Sequence, residues 1–397
     1  MTESLTMAAA SAALKIKWPT NKLVQEFYEE SPTAKQIPID LFSGQDEMRL
    51  PIQYAMSAGR SAVLSTAIAN MAATEQTVFK LTTSKDYGAF KIDSEAILAG
   101  MSPEALVDLL DNQTKSIIAN LRRSFSNDIF RDGSGECGRV GSIPGAGSFI
   151  LKNPEDVCNF EINKKFKATA NKSAERVGVG TVTNVDRDTG TITYSGTITS
   201  FAADDYVYAE GDFNAKLKGF DAWNPITAPG STAFFGVDRS VDVVRLSGWR
   251  FAADGSTALE VVERALTRGS RHGSQPDRMV CSSDFASQIR RNIGDRMRVT
   301  KMESPSTKVV LDIESFSVGG RSVVLVEDFQ CPAGLVRFWK NGTVKVYARK
   351  KQIPMILNAD GNDIRAHATD DAYVGRIGYY AQMGCDSPLH LGVLSGV

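Results

Sequence analysis

At 397 residues the chain exceeds what one ordinary core holds and is expected to divide into two or three lobes. With 42% apolar and 23% charged residues it is globular, which excludes a disordered or fibrous chain. A formal net charge of -1 argues against a dedicated, strongly basic nucleic-acid binder, so any contact with DNA must come from a local patch.

The N-terminus has no basic region ahead of an apolar one, and Lys15 and Lys17 interrupt it early, so no signal peptide is expected. No run approaches a membrane span. Residues 1 to about 60 read as an arm: Ala and Ser dominate, Leu23, Val24, Phe27 and Tyr28 give a short helical pattern, and Pro32, Pro38 and Pro51 then break the chain. Such a segment has too little apolar surface to offset its own ordering entropy and should lie on something else. Ser61 to Ala73 is small-residue and helix-compatible.

Phe79 and Leu81, then Phe90 and Ile92, alternate with polar neighbours around the turn-rich piece Thr82–Gly88, which carries Lys85 and Tyr87. This pattern predicts a protruding β-hairpin that needs a partner surface. The clearest helix follows, with Ser102 as cap and Pro103 at its first position. Leu106, Leu110, Ile117, Leu121, Phe125 and Ile129 form one apolar stripe, and Gly133, Gly135 and Gly138 end the helix. At ~1.5 Å per residue it should be roughly 40 Å long.

A β module is expected over about 166–215, with a hairpin turn at Asp186 to Gly190. Helices follow around Ala258 and Ser283, with the buried strand Pro276–Ser283 between them. Further strands are read in GRSVVLVED, in a hairpin turning at Asn341-Gly342, and in the alternating stretch from Asp363 to Gly384.

Chemical motifs are weak. Gly133, Gly135 and Gly138 spell a formal G-x-G-x-x-G, but the loop follows a helix instead of opening one, so a helix stop is preferred to a dinucleotide site. Asp186, Asp188 and Gly190 open like a calcium loop but lack its closing glutamate. His272, His367 and His390 form no ligand pair, and Cys137, Cys158, Cys281, Cys331 and Cys385 form no C-x-x-C, as free thiols in a reducing cytoplasm would. No catalytic residue, cofactor site or metal site is assigned. Arg264, Arg268, Arg271, Arg278, Arg290, Arg291, Arg296, Arg298 and Lys301 concentrate positive charge. Salt-bridged helix faces are the plain reading; a surface that meets DNA phosphates or a scaffold is the sharper one.

The order of parts resembles the Hong Kong 97-type capsid fold of tailed-phage major capsid proteins. The wording resembles them too, in FYEESPTAKQIPIDLFSG, VFKLTTSKDYGAFKIDSE, IFRDGSGECGRVGSI, YVYAEGDF before LKGFDAW, and ALTRGSRHGSQPDRMVCSSDF. The resemblance implies an α+β chain with an N-terminal arm over 1–60, an E-loop over 74–100, and a peripheral domain with its spine helix over 101–165. A β-rich insertion would follow over 166–215, the peripheral domain continued over 216–249, an axial domain over 250–335, and return strands over 336–397. Phe79, Leu81, Lys85, Tyr87, Phe90 and Ile92 would make the E-loop contacts with neighbouring copies. Leu106, Leu110, Ile117, Leu121 and Phe125 would form the spine-helix core, and Arg268, Arg271, Arg290, Arg291, Arg296 and Arg298 the axial charge contacts.

The implied function is an icosahedral head shell, assembled in the host cytoplasm, with no enzymatic activity and no cofactor. Implied partners are other copies of the chain in hexamers and pentamers, portal and scaffold proteins, packaged DNA by non-specific contact, and a decoration protein; no membrane is involved. The chain carries no long N-terminal helical extension, which favours a separate scaffold. Apolar surface in the first hundred residues would find its cover on sister copies. A cellular encapsulin-type nanocompartment shell is the alternative within the fold; a DNA-binding or enzymatic protein using the Arg-rich segment 264–301 is the alternative outside it.

Overall fold

A computed structural model describes residues 31–94, 103–294, 315–318, 321–351, 353–357, 364–366 and 369–397. Pro103–Phe130 forms one 28-residue helix, here the long helix. Its apolar stripe buries Leu121, Phe125 and Ile129, with Ile117 half-buried beside them; the side chains of Leu106 and Leu110 lie outside the described residues. The helix stops before Gly133 and Gly135, whose φ of +89° and +82° only glycine adopts freely, and a strand starts at Glu136.

The long helix lies on the central sheet. There Ser84–Asp93 runs antiparallel to Ala372–Cys385, with residues 84–93 opposite 372–381. Alternate residues of each strand face the helix: Phe125 meets Tyr379 edge-on at 5.5 Å, and Ser124 Oγ donates to Asp86 at 2.8 Å. Gly88 permits the close approach, since a Cβ there would stand 2.3 Å from Ile117 Cγ2. The opposite edge of the long strand takes Val344–Ala348, Met355–Ile356 and Ile364–Ala366, and Ile39–Leu41 adds parallel to Val344–Ala348.

A second sheet runs in the order Trp249–Ala252, Gly392–Ser395, Leu335–Trp339, Arg278–Cys281, Arg321–Glu327, Ser315–Val318. Helices Ala258–Arg271 and Ser283–Gly294 cover it and bury Val262, Ala265, Phe285 and Ile289 against Met279, Val323 and Phe338. Gly392–Ser395 thus returns to this sheet, whereas Ala372–Cys385 returns to the central one.

The third body is a closed six-stranded barrel: Glu136–Gly145, Ser148–Leu151, Lys165–Thr169, Gly178–Asp186, Thr191–Ile198 and Tyr206–Ala209. It begins thirty residues before the expected boundary at 166, because closure needs Ser148–Leu151 to pair with Thr191–Ile198 and Glu136–Gly145 to pair with Tyr206–Ala209. Phe149 fills its centre, with the rings of Phe160, Phe166, Tyr194 and Phe201 within 6.1 Å.

Two expected hairpins are corrected. Gln76–Leu81 does not pair with Ser84–Asp93; its partner is Met48–Gln53, with which it makes a separate two-stranded ribbon. Likewise Leu335–Trp339 and Val344–Ala348 belong to different sheets, and Asn341-Gly342 is the corner between them. In both cases each strand pairs with segments other than its chain neighbour, which outweighs a good local turn.

Candidate functional site

The ribbon's base and tip differ in kind. At the base Leu50, Ile52, Phe79 and Leu81 are buried, Phe79 lying 5.1 Å from the Trp223 ring, and the Lys80 amide donates to Phe235 O at 2.9 Å. Phe79 and Leu81, expected on a neighbouring copy, are therefore part of this chain's own core. Beyond Gln53 the chain leaves the body, turns through helix Leu64–Ala69, and returns at Gln76. That helix buries none of its residues. Met56, Val63, Leu64, Ile68 and Met71 are 53–79% exposed, an apolar group too concentrated to be scattered surface residues. The missed signal was the run from Ala62 to Ala73, which holds no charge although it is predicted helical.

The other expected contact residues are placed elsewhere. Lys85 and Tyr87 are exposed on the central sheet's face away from the long helix, Phe90 is half-buried beneath Gly375, and the side chain of Ile92 lies outside the described residues. Of the arginines, Arg268, Arg271 and Arg291 are exposed and Arg290 pairs with Glu327 at 2.5 Å; Arg296, Arg298 and Lys301 lie outside the described residues. Arg268 also stands 6.0 Å over the Phe251 ring.

Three buried polar groups hold the bodies together, and none was visible beforehand. Lys216 reaches Asp86 at 2.6 Å, Asp212 at 3.4 Å and Asp128 at 3.9 Å, tying the central sheet, the long helix and the end of the barrel. Burial, opposed by Lys216 and assisted by the Asp86 and Asp212 charges, pushes the Asp128 carboxyl up to about 8. Arg131, just past the helix, pairs with Glu136 at 3.3 Å and Asp156 at 2.7 Å at the barrel's root. Finally, Arg239, Arg337 and Arg250 donate to the consecutive carbonyls of Ala222 to Pro225, joining the central body to the second sheet.

The weak motifs resolve structurally. The Asp186 carboxylate accepts from the amides of Asp188 and Thr189, as a hairpin turn requires. His272 ends a helix, His390 Nδ1 accepts from the Gln275 amide, and His367 lies outside the described residues. The five cysteines are free, and burial pushes the Cys281 thiol up to about 12, away from nucleophilic use. Among the described residues no group of three or more His, Cys, Asp or Glu could hold a metal, and no helix is long and apolar enough to cross a membrane.

No protein-family model matches the sequence, and no curated protein matches it either. Solved structures do. The chain is similar to the Cyanophage A-1(L) capsid asymmetric unit with a TM-score of 0.56 and 13% identity, over 93% of each chain. It also matches the capsid of a native GTA particle (TM-score 0.48, 9% identity, 92% of this chain and 89% of that one). A third match is the holo-SrpI encapsulin complex from Synechococcus elongatus (TM-score 0.44, 9% identity, 92% and 86%). The first likeness shows the fold: a mixed α+β chain of the phage-capsid, Hong Kong 97-like kind.

Proposed function

We propose that this chain is the major capsid protein of a tailed phage, a structural protein that self-assembles into the icosahedral shell around the phage's double-stranded DNA and catalyses nothing. The observation that carries the reading is the ribbon tip: a capsid-type fold with a concentrated exposed apolar group on an arm that the described residues of its own body do not cover. The long helix is then the spine, the central sheet the peripheral domain, and the second sheet with its two helices the axial domain around each capsomer centre. The barrel is an insertion beyond the minimal fold. The extended loop that lies over a neighbour is the ribbon, 48–81, in place of the 74–100 segment.

Physically, such an arm makes sense only with partners. Its exposed side chains cost free energy in water, at ~25 cal/mol per Å² of apolar surface, and regain it when covered. Each copy that covers one neighbour and is covered by another gains from both contacts, and closure multiplies modest pairwise affinities. Exposed Arg268, Arg271 and Arg291 would serve neighbouring copies or DNA phosphates. Portal, scaffold and decoration proteins are further partners that a head shell would use.

Electron microscopy of the purified recombinant chain tests the reading. Closed icosahedral particles are expected. A small soluble oligomer with salt-sensitive DNA affinity and no particles would overturn it. Particles that hold enzyme cargo and no nuclease-protected DNA would point instead to a nanocompartment shell.

A further inference from the structure

The barrel joins the rest of the chain through two threads, residues 131–136 on the way in and 210–219 on the way out. The way in is fixed by Arg131 between Glu136 and Asp156, with Lys172 on Asp132 and Glu136 beside it. The way out is fixed where Lys216, 6% exposed, meets three carboxyls. Asp86 comes from the central sheet at 2.6 Å, Asp212 from the same thread at 3.4 Å, and Asp128 from the long helix at 3.9 Å. Backbone bonds also join the threads: the Asn214 amide donates to Ser134 O at 3.1 Å and the Gly219 amide to Arg131 O at 2.9 Å.

The groups around this cluster set its charge. Ser124 Oγ accepts from Lys216 at 2.8 Å and donates to Asp86 at 2.8 Å, and the Tyr379 hydroxyl donates to Asp86 at 3.3 Å. From the barrel comes Lys164, whose amine donates to Asn159 O at 2.8 Å and to Cys137 Sγ at 3.4 Å. Glu161 is paired with Arg123 and Arg187, Cys158 Sγ accepts from Gln330, and Lys218 turns to the Phe235 ring. Lys216 and Lys164 thus offset Asp86 and Asp212, and an ionised Asp128 would be a third carboxylate among two amines. It is poorly placed to be one. Asp128 is 2% exposed, is the farthest of the three from Lys216, and its Oδ2 accepts no hydrogen bond among the described residues. The cavity it lines, about 30 Å³, has room for one water but not for the hydration that a buried anion needs. Burial accordingly pushes the Asp128 carboxyl up to about 8. We propose that a proton on Asp128 latches residues 210–219 to the long helix, and that its loss frees this thread so that the barrel pivots on its Arg131 root. With the proton the closed cluster is balanced; without it one negative charge is in excess, and opening lets water reach the carboxylate. The latch therefore tightens as pH falls and loosens as pH rises. It belongs to one copy of the chain and operates whether or not copies assemble.

Hydrogen–deuterium exchange of the full-length chain at about pH 6 and about pH 8 tests this, read as protection after correction for the intrinsic pH dependence of exchange. Opening returns Asp128 to water and to the ordinary carboxylate range, so in this interval opening gains up to about tenfold per pH unit. The amides of residues 210–218 should therefore lose protection about tenfold or more between the two conditions. At the higher pH they should also exchange faster than those of Leu335–Trp339 in the second sheet. Asp128→Asn keeps the shape of the side chain and cannot ionise, so its protection should stay within about twofold between the two conditions. Lys216→Met removes the shared amine and should open the thread at the lower pH as well; circular dichroism checks its fold, and Asp128→Asn decides the matter if it does not fold. Protection of 210–218 that ignores pH, that equals that of Leu335–Trp339 at the higher pH, or that falls as steeply in Asp128→Asn as in the unaltered chain would overturn the proposal.

Discussion

Asp128 gives the protein a pH response that can be worked out from one side chain. Its carboxyl loses its proton near 4 in the unfolded chain and, held up by burial, only at about 8 in the folded one. Between those values the folded state binds the extra proton, so this group's stabilising contribution is full below 4 and is lost as pH rises through 8. The free energy of unfolding should therefore fall as pH rises between about 5 and 8, with a limiting slope of about 1.4 kcal/mol per pH unit from this group that levels off above 8, and Asp128→Asn should flatten it. Chemical denaturation across this range measures it. Arg131→Met should cost about 3–5 kcal/mol in the same assay, since it leaves Asp156 buried without its guanidinium. Neither network was legible in the sequence. Lys216 finds Asp86 across 130 residues of chain, and a lone lysine between Ala215 and Leu217 carries no signal of a buried partner.

At the scale of elements, what the sequence displays is strands and helices, and what it hides is their partners. The long helix could be read from its stripe because its 3.6-residue period is local, and its start at Pro103 and stop before Gly133 are local as well. Gln76–Leu81 and Ser84–Asp93 could be read as strands for the same reason. Their joining turn suggested a hairpin, yet one strand takes Met48–Gln53 and the other takes Ala372–Cys385, nearly three hundred residues on. That reading put the expected contacts on the ribbon's buried base and on the central sheet instead of on the ribbon tip. Substitutions can separate the two. Leu64→Asp combined with Ile68→Asp should change the stability of the folded chain by no more than about 0.5 kcal/mol, because the tip helix buries nothing, yet should abolish particles. Leu121→Asp, by contrast, places a carboxylate on the stripe against the central sheet and should cost about 3–5 kcal/mol or prevent soluble expression. Thermal melts paired with electron microscopy distinguish lost assembly from lost folding.

Across the whole molecule, three apolar cores meet at polar seams, and the central core also takes Val280, Val326 and Trp339 from the second sheet. The central sheet with the long helix, the second sheet with its two helices, and the barrel each bury their own aromatic and aliphatic centre. Lys216, Arg131 and the arginines on the Ala222 to Pro225 carbonyls bridge them. Of the thirteen exposed large hydrophobic residues among those described, five stand together on residues 54–75, where the apolar group on the tip has no cover from the described residues of its own chain. Hydrogen–deuterium exchange of that segment, in dissociated copies and in assembled particles, tests this most directly. Fast exchange in the dissociated chain, slowed about tenfold or more in particles, is the expected result. Equal exchange in both states, or full protection in an isolated monomer, would contradict it.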